Sequence, residues 1–401
     1  MAEPATDAGR QQHLGTGSFD PWSRSLNRSN IWQIYHAMRQ EAAAVRSGAY
    51  GGYWLLPRYS DVKNAALNHK VFSSRFGTRI GIQGTVDPRA AAIEYDPPEH
   101  RKFRSAMIAP FTAKRIGEFS GLVERYASAI VANVLSAGSF DIVHDIAGPM
   151  SVGVISEIIG FDGGAKDRNR ELALALIGAG YETVSTAGDE YNRFLEQEVQ
   201  KRINAPTAGF LGELVSHATQ DAEFDVRELV AIARALALAG HHTTINGISS
   251  MLLRVADEEL RNHWLSDPES DLAISGFVEE TLRIDPPIHL EGRRTTEPVK
   301  VGDVCIPAGS QVALLFGSAN HDDEMFPEPE EFNPLRPVGH LSFGHGIHTC
   351  LGMGLARLEM ASVLKEVHKH IPRVRLSGTP VDSGMIFGHH MGWEAMPAVI
   401  E

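Results

Sequence analysis

The chain has 401 residues, 43% apolar and 22% charged, close to a globular average and long enough to bury a large core. Thirty-seven Lys and Arg stand against 50 Asp and Glu, a formal net charge of −13, which argues against nucleic acid or an anionic membrane as the main partner. Two cysteines, Cys305 and Cys350, rule out a disulfide framework and fit a reducing cytoplasm.

Residues 1–28 are polar, with several glycines and no apolar segment of the kind a signal peptide carries. They read as a mobile lead-in to one catalytic domain over residues 29–401, and not as an anchor. No run of about 20 apolar residues follows, so no membrane span is expected. Helical spacing covers residues 31–46, and residues 53–56 read as a strand. Residues 75–92, with Gly77, Gly81, Gly84 and Pro88, form a long loop of the kind that carries function. After Asp96-Pro97-Pro98 helices dominate to about residue 285. Asp225 and Glu228 fit a capping box opening a helical run to residue 255, roughly 30 residues and on the order of 45 Å. Such a helix, apolar on most sides, crosses the middle of a domain. Residues 271–284 make a shorter helix, stopped by Asp285-Pro286-Pro287. Strands and turns follow over 288–318, then little regular structure to 349. A helix runs from Cys350 to about 370, and the tail holds strands and turns. The fold class is mainly α with a smaller β portion, with no internal repeat.

The sharpest local signal is Phe343-Gly344-His345-Gly346-Ile347-His348-Thr349-Cys350-Leu351-Gly352. A cysteine opening a helix sits against unpaired N–H groups and a partial positive charge, which favour thiolate. Gly346 and Gly352 let backbone approach closely, as a flat macrocycle requires. A structural zinc needs four ligands, and His345 and His348 crowd the cysteine without a second thiol. Cys305, within Val304-Cys305-Ile306, reads as a small structural residue.

In these residues the chain resembles the cytochrome P450 haem-thiolate enzymes, whose cysteine loop reads Phe-x-x-Gly-x-x-x-Cys-x-Gly. Phe343, Gly346, Cys350 and Gly352 fill its fixed places, and the resemblance extends over nearly the whole chain. It implies haem b between the long central helix and the cysteine helix, with Cys350 as the iron ligand. Glu280-Thr281-Leu282-Arg283 resembles the family's Glu-x-x-Arg, and Arg336, in Phe332-Asn333-Pro334-Leu335-Arg336, would join Glu280 and Arg283 in a structural charge network. Alone, an i,i+3 Glu and Arg is usually a solvated helical pair. His100 and Arg104 resemble the family's His-x-x-x-Arg, and with Arg293 and His348 would hold the haem propionates through charge-assisted hydrogen bonds.

Ala239-Gly240-His241-His242-Thr243-Thr244 lies mid-way along the expected long helix. A Thr hydroxyl can bond the carbonyl one turn back and bend a helix, so a simple kink or tight packing at Gly240 would also explain it. By resemblance, Thr243 steers protons to dioxygen. The family's usual acid is replaced by His242, which titrates near neutrality and can relay protons. The pocket implied by resemblance includes residues 75–92, residues 175–181, Leu236, Ala239, Ile288, His289, Leu290 and Ile386. With His242, His289 and Glu291 among them, it suits a mid-sized substrate with a polar or ionisable group, unless those groups face solvent.

The resemblance implies a monooxygenase that hydroxylates or epoxidises an organic substrate. It would use O2, with electrons from a ferredoxin and ferredoxin reductase, because two cysteines cannot hold a four-cysteine cluster. Arg101, Lys102, Lys114 and Arg115 offer a basic face for an acidic ferredoxin. The missing acid leaves oxidative coupling, nitration or peroxide-driven chemistry as the alternative, and a non-catalytic haem-binding protein as a third reading. No coiled-coil heptads occur, so a monomer is expected.

Overall fold

The computed structural model describes residues 16–82, 89–205, 207–221, 223–265, 270–337 and 339–401. Helices build most of the molecule. The apolar faces of Ala113–Ala137, His242–Val255, Asp271–Ile284 and Met353–His370 meet in one large cluster around Ile248, Met251, Phe277 and Val363. A second cluster joins Val184–Asn204, Phe210–Asp221 and Val226–Ala239 around Tyr191, Leu195 and Ile232. The helical stretch Ile142–Ile159 is apolar enough to cross a membrane, but 72% of it is buried within the first of these layers and its neighbours, as a core helix must be.

The β portion is a five-stranded sheet in the order Val45–Ser47, Tyr53–Leu56, Gln311–Leu314, Glu291–Thr295, Phe72–Ser73. Only the pairing of Trp54 with Val312 and its neighbours is parallel. The Val381–Ile386 and His390–Ala395 strands form a separate hairpin, and Ile288 bridges to His390 beside it.

Three sequence expectations change. The first helix spans Ile31–Glu41 and stops short of residue 46, because Val45–Ser47 pairs with Tyr53–Leu55 in a hairpin. The lead-in expected through residue 28 is not loose where it is described: Phe19 and Leu26 are fully buried, and Arg28 pairs with Asp382. Residues 1–15 lie outside the described residues. The long central helix is two helices, Val226–Ala239 and His242–Val255, broken at Gly240-His241. The capping box at Asp225 and Glu228 forms as expected.

Candidate active site

The segment 343–352 forms a tight loop against the start of the Met353–His370 helix. Its backbone closes through Cys350 N–H donating to the Phe343 carbonyl at 2.8 Å. Gly346 has φ +74° and a Cβ there would stand 2.5 Å from the Ala66 carbonyl oxygen, so a side chain is excluded. Gly352 is not forced in this way, since its φ is −82° and a Cβ would touch only Cys350 Sγ at 4.0 Å. The helix begins at Met353 rather than at the cysteine, and the N–H groups of Gly352 and Met353 point at the sulfur. Burial pushes the Cys350 thiol up, while those N–H groups, Arg104 and Arg357 pull against it. The lowered thiol pKa expected from the helix start is therefore corrected for the polypeptide by itself: desolvation outweighs the dipole.

The charge network expected behind this loop is assembled. Arg283 forks onto Glu280 with both contacts at 2.8 Å, and Arg336 Nε reaches the same carboxylate at 3.1 Å. Arg283 also donates to the carbonyls of Asn320 and Glu331. Asn320 in turn holds Ser342 and the Leu341 N–H, one step before Phe343. A second network went unread in the sequence. Arg357 forks onto Glu279 at 2.5 and 2.8 Å, with His340 at 3.2 Å. Burial raises the Glu279 carboxyl, but these hydrogen bonds win and hold it down to about 2. Arg357 lies 4.5 Å over the Phe343 ring, clamping the loop from its outer side. Its only sequence signal was its position seven residues, two helical turns, beyond Cys350.

The four residues expected to hold the propionates also converge. The His100 and His348 rings meet edge to face at 5.0 Å, and His348 Nε2 is 3.1 Å from Ser74 Oγ. Arg104 donates to the Thr349 carbonyl at 2.6 Å. Arg293 is buried, and burial, joined by the charge of Arg293 and by His100, depresses His348 to about 2. His100 Nε2 is buried without a hydrogen-bond partner. Asp96 and Glu291 are the nearby carboxylates for Arg293. Such an arrangement is complementary to added carboxylates, as two propionates would be.

The helix break lies between Val226–Ala239 and His242–Val255. Thr243 Oγ1 donates to the Ala239 carbonyl at 2.7 Å, the bond that a mid-helix Thr makes when a helix opens. Ser151 Oγ caps the freed Gly240 and His241 carbonyls at 2.8 Å each.

The Cytochrome P450 family model matches residues 274–370. Cytochrome P450 107B1 of Saccharopolyspora erythraea is 30% identical over 387 residues, spanning 90% of this chain and 93% of that protein. The chain belongs to the cytochrome P450 family. The vitamin D(3) 25-hydroxylase of Pseudonocardia autotrophica is similar at 30% over 384 residues, 93% of this chain and 92% of that one. A solved mutant of P450 EryK in complex with erythromycin B superposes with a TM-score of 0.82 at 26% identity, covering 93% of this chain and 96% of that one. As a P450 this protein is a monooxygenase that binds haem b.

Not every residue expected in the P450's pocket faces one. His289 Nδ1 meets Tyr35 Oη at 3.2 Å and its ring lies against Trp32 and Tyr35 of the first helix. Leu290 is fully buried in the core built on that same helix. Both side chains pack on the first helix. Ile288 is half-buried and Ala239 exposed, while Leu236 and Ile386 are buried. The residues 83–88 of the expected pocket loop lie outside the described residues. The basic face for a redox partner is thinner than expected: Lys102 pairs with Glu228 at 2.6 Å and Arg115 with Glu118 at 2.8 Å. Arg101 and Lys114 stay exposed.

His242 is not the near-neutral group that its sequence position suggested. Burial lowers its ring to about 4, and Nδ1 lies 3.0 Å from Asn246 Nδ2. His241, depressed to about 3 by burial with help from His242 and Arg170, and His289, depressed to about 3 by burial and Arg28, are likewise held neutral. Their folded values lie below the unfolded value of about 6.5. The stability that this supplies is complete above pH 6.5 and lost as pH falls toward 3, since the unfolded chain takes up protons that the folded one refuses. At pH 5 His241 and His289 should each cost about 2 kcal/mol relative to pH 7. Urea unfolding at the two pH values checks this: His289→Gln should lessen the drop, and an identical drop in that variant would contradict it.

Proposed function

We propose that Cys350 is the axial thiolate ligand of haem iron, and that His100, Arg104, Arg293 and His348 hold the propionates. Phe343, Gly346 and Gly352 shape the loop beneath. The observation that carries this reading is the pairing of a half-buried cysteine, framed by two backbone N–H groups, with Arg104, Arg293, His348 and the unpartnered Nε2 of His100 gathered at the same loop. Haem, when bound, supplies the activation of dioxygen. The polypeptide's part is to orient, exclude water and place protons. Thr243 keeps a hydroxyl hydrogen at the helix break, where its acceptor is the carbonyl one turn back. His242 Nε2 makes no hydrogen bond among the described residues, and its ring meets His390 edge to face at 5.4 Å.

The net reaction converts R–H, O2, two electrons and two protons to R–OH and water, or an alkene to its epoxide. A small ferredoxin, reduced by its reductase, would supply the electrons through the face carrying Arg101 and Lys114. Oxidation under labelled dioxygen tests this: one labelled atom belongs in each product molecule. Unlabelled product would instead support oxidative coupling, nitration or peroxide-driven chemistry.

His242→Asp restores the family's usual side-chain type at this place. It should preserve turnover or raise the fraction of electrons recovered in product, measured as product per NADH with peroxide counted alongside. Complete loss of turnover in a folded, haem-loaded variant would give His242 a more specific task than proton relay.

A further inference from the structure

The second half of the broken central helix, His242–Val255, carries a polar pair in the interior. Asn246 Nδ2 lies 3.0 Å from His242 Nδ1, one turn back along the helix. Asn246 is 1% exposed, and Ile245 and Ile248 on either side belong to the main core cluster. Its Oδ1 is buried with no partner. An unmet buried oxygen costs free energy that an apolar side chain there would not. What the amide supplies in return is its contact with His242.

The pair is also held from across. Gly392, in the His390–Ala395 strand, lies against the amide: a Cβ there would stand 1.9 Å from Asn246 Oδ1 and 2.3 Å from Nδ2. Only glycine leaves the amide where it is. The same strand sets His390 edge to face on the His242 ring at 5.4 Å.

The direction of the amide decides which nitrogen of His242 carries the hydrogen. With Nδ2 toward the ring, the amide donates and Nδ1 accepts, so the ring hydrogen is on Nε2. Turned over, the amide would strand both of its N–H hydrogens, and buried N–H groups go unmet more rarely than carbonyls do. An α-hydrogen of Gly392 stands where the Cβ would be and points at Oδ1, a weak contact that suits an oxygen and not an N–H. Burial keeps the His242 ring neutral, as it does His241, His389 and His390 beside it. Nε2 is the nitrogen left open. His242 keeps 9% of its surface, and its Nε2 is not sealed, whereas both nitrogens of His241 are.

We infer that Asn246 is a positioning residue that holds His242 as its Nε2–H tautomer, so that the ring beside Thr243 presents a fixed hydrogen-bond donor instead of passing protons from one nitrogen to the other. A through-ring relay must load Nδ1 as Nε2 unloads, and Nδ1 is occupied by the Asn246 N–H. Without that loading Nε2 keeps its hydrogen, because releasing it would leave an imidazolate. His242 therefore orients and does not relay. The hydrogen bond itself is independent of what ligates the iron; its bearing on proton delivery rests on the haem-thiolate reading.

The test reads the tautomer directly. Protein labelled with 15N-histidine, haem-loaded and reduced under carbon monoxide so that the iron is diamagnetic, gives two-bond 1H–15N correlation spectra at pH 7. His242→Gln identifies the His242 signals by their loss. Nε2 should appear in the range of a protonated nitrogen, and Nδ1 in that of a bare one, displaced by its hydrogen bond. Asn246→Leu should release Nδ1 to the position of a free bare nitrogen. Gly392→Ala, whose methyl group displaces the amide, should do the same from the other side of the contact. Thermal midpoints show whether each variant is folded, and if one is not, the other decides. An Nδ1–H pattern in the parent protein would overturn the assignment. So would a doubly protonated ring, or an Nδ1 signal that stays in place in a folded Asn246→Leu or Gly392→Ala protein. The expected pattern in a parent sample whose carbon monoxide band is that of haem without a thiolate would strike the haem-thiolate reading and leave the positioning role of Asn246 standing.

Discussion

Arg283→Ala is expected to yield a protein that no longer retains haem. Arg283 is 2% exposed and satisfies both oxygens of the equally buried Glu280. Removing one partner of a buried ion pair costs about 3–5 kcal/mol, most of it the stranded charge. The damage is directed. Arg283 also holds the Asn320 carbonyl, and the Asn320 side chain holds Ser342 and Leu341, the residues that lead into Phe343 and the cysteine loop. Arg283→Lys should fare little better, because an ammonium cannot fork onto a carboxylate. Haem content per polypeptide and the thermal midpoint measure the effect. A fully loaded Arg283→Ala protein with an unchanged midpoint would show that Arg336 alone suffices for Glu280.

Thr243→Ala should separate oxygen consumption from product formation. Thr243 is half-buried at the helix break, and its hydroxyl donates to the Ala239 carbonyl at 2.7 Å. Deleting it removes the hydroxyl that bonds the Ala239 carbonyl across the break. Product per electron pair should fall by about one to two orders of magnitude, the scale of a positioned proton-transfer group. Oxygen uptake should continue, with peroxide in place of product. Thr243→Ser should recover most of the loss. Equal coupling in the Ala variant would place proton delivery on another group.

What could be read from the sequence divides along the line between local and distant contacts. Glu280 and Arg283 were legible because i,i+3 spacing on one helix makes the pair before any tertiary contact forms. The capping box at Asp225 and Glu228 was legible for the same reason. Cys350 stood out because glycine and aromatic punctuation surrounds it within ten residues. The end of the first helix at Glu41 was not legible. Ala42-Ala43-Ala44-Val45 suits helix or strand equally, and the hairpin to Tyr53–Leu55 decides it. His289 was placed in the pocket by its neighbours in sequence, whereas the side to which it turns is set by Tyr35 and Trp32, more than 250 residues away. The seat of Asn246 on Gly392 went unread because it joins a helix and a hairpin that only the fold brings together. The break at Gly240 was half legible. Thr243 signalled a bend, but the full interruption depends on Ser151 taking up the freed carbonyls.

The central claim is that Cys350 ligates haem iron as a thiolate. The difference spectrum of the reduced protein with carbon monoxide against the reduced protein alone tests it most directly. The account predicts the red-shifted Soret band after which the family is named, and its disappearance in Cys350→Ala. A band at the shorter wavelength of haem without a thiolate ligand, or a red-shifted band that survives in Cys350→Ala, would contradict it.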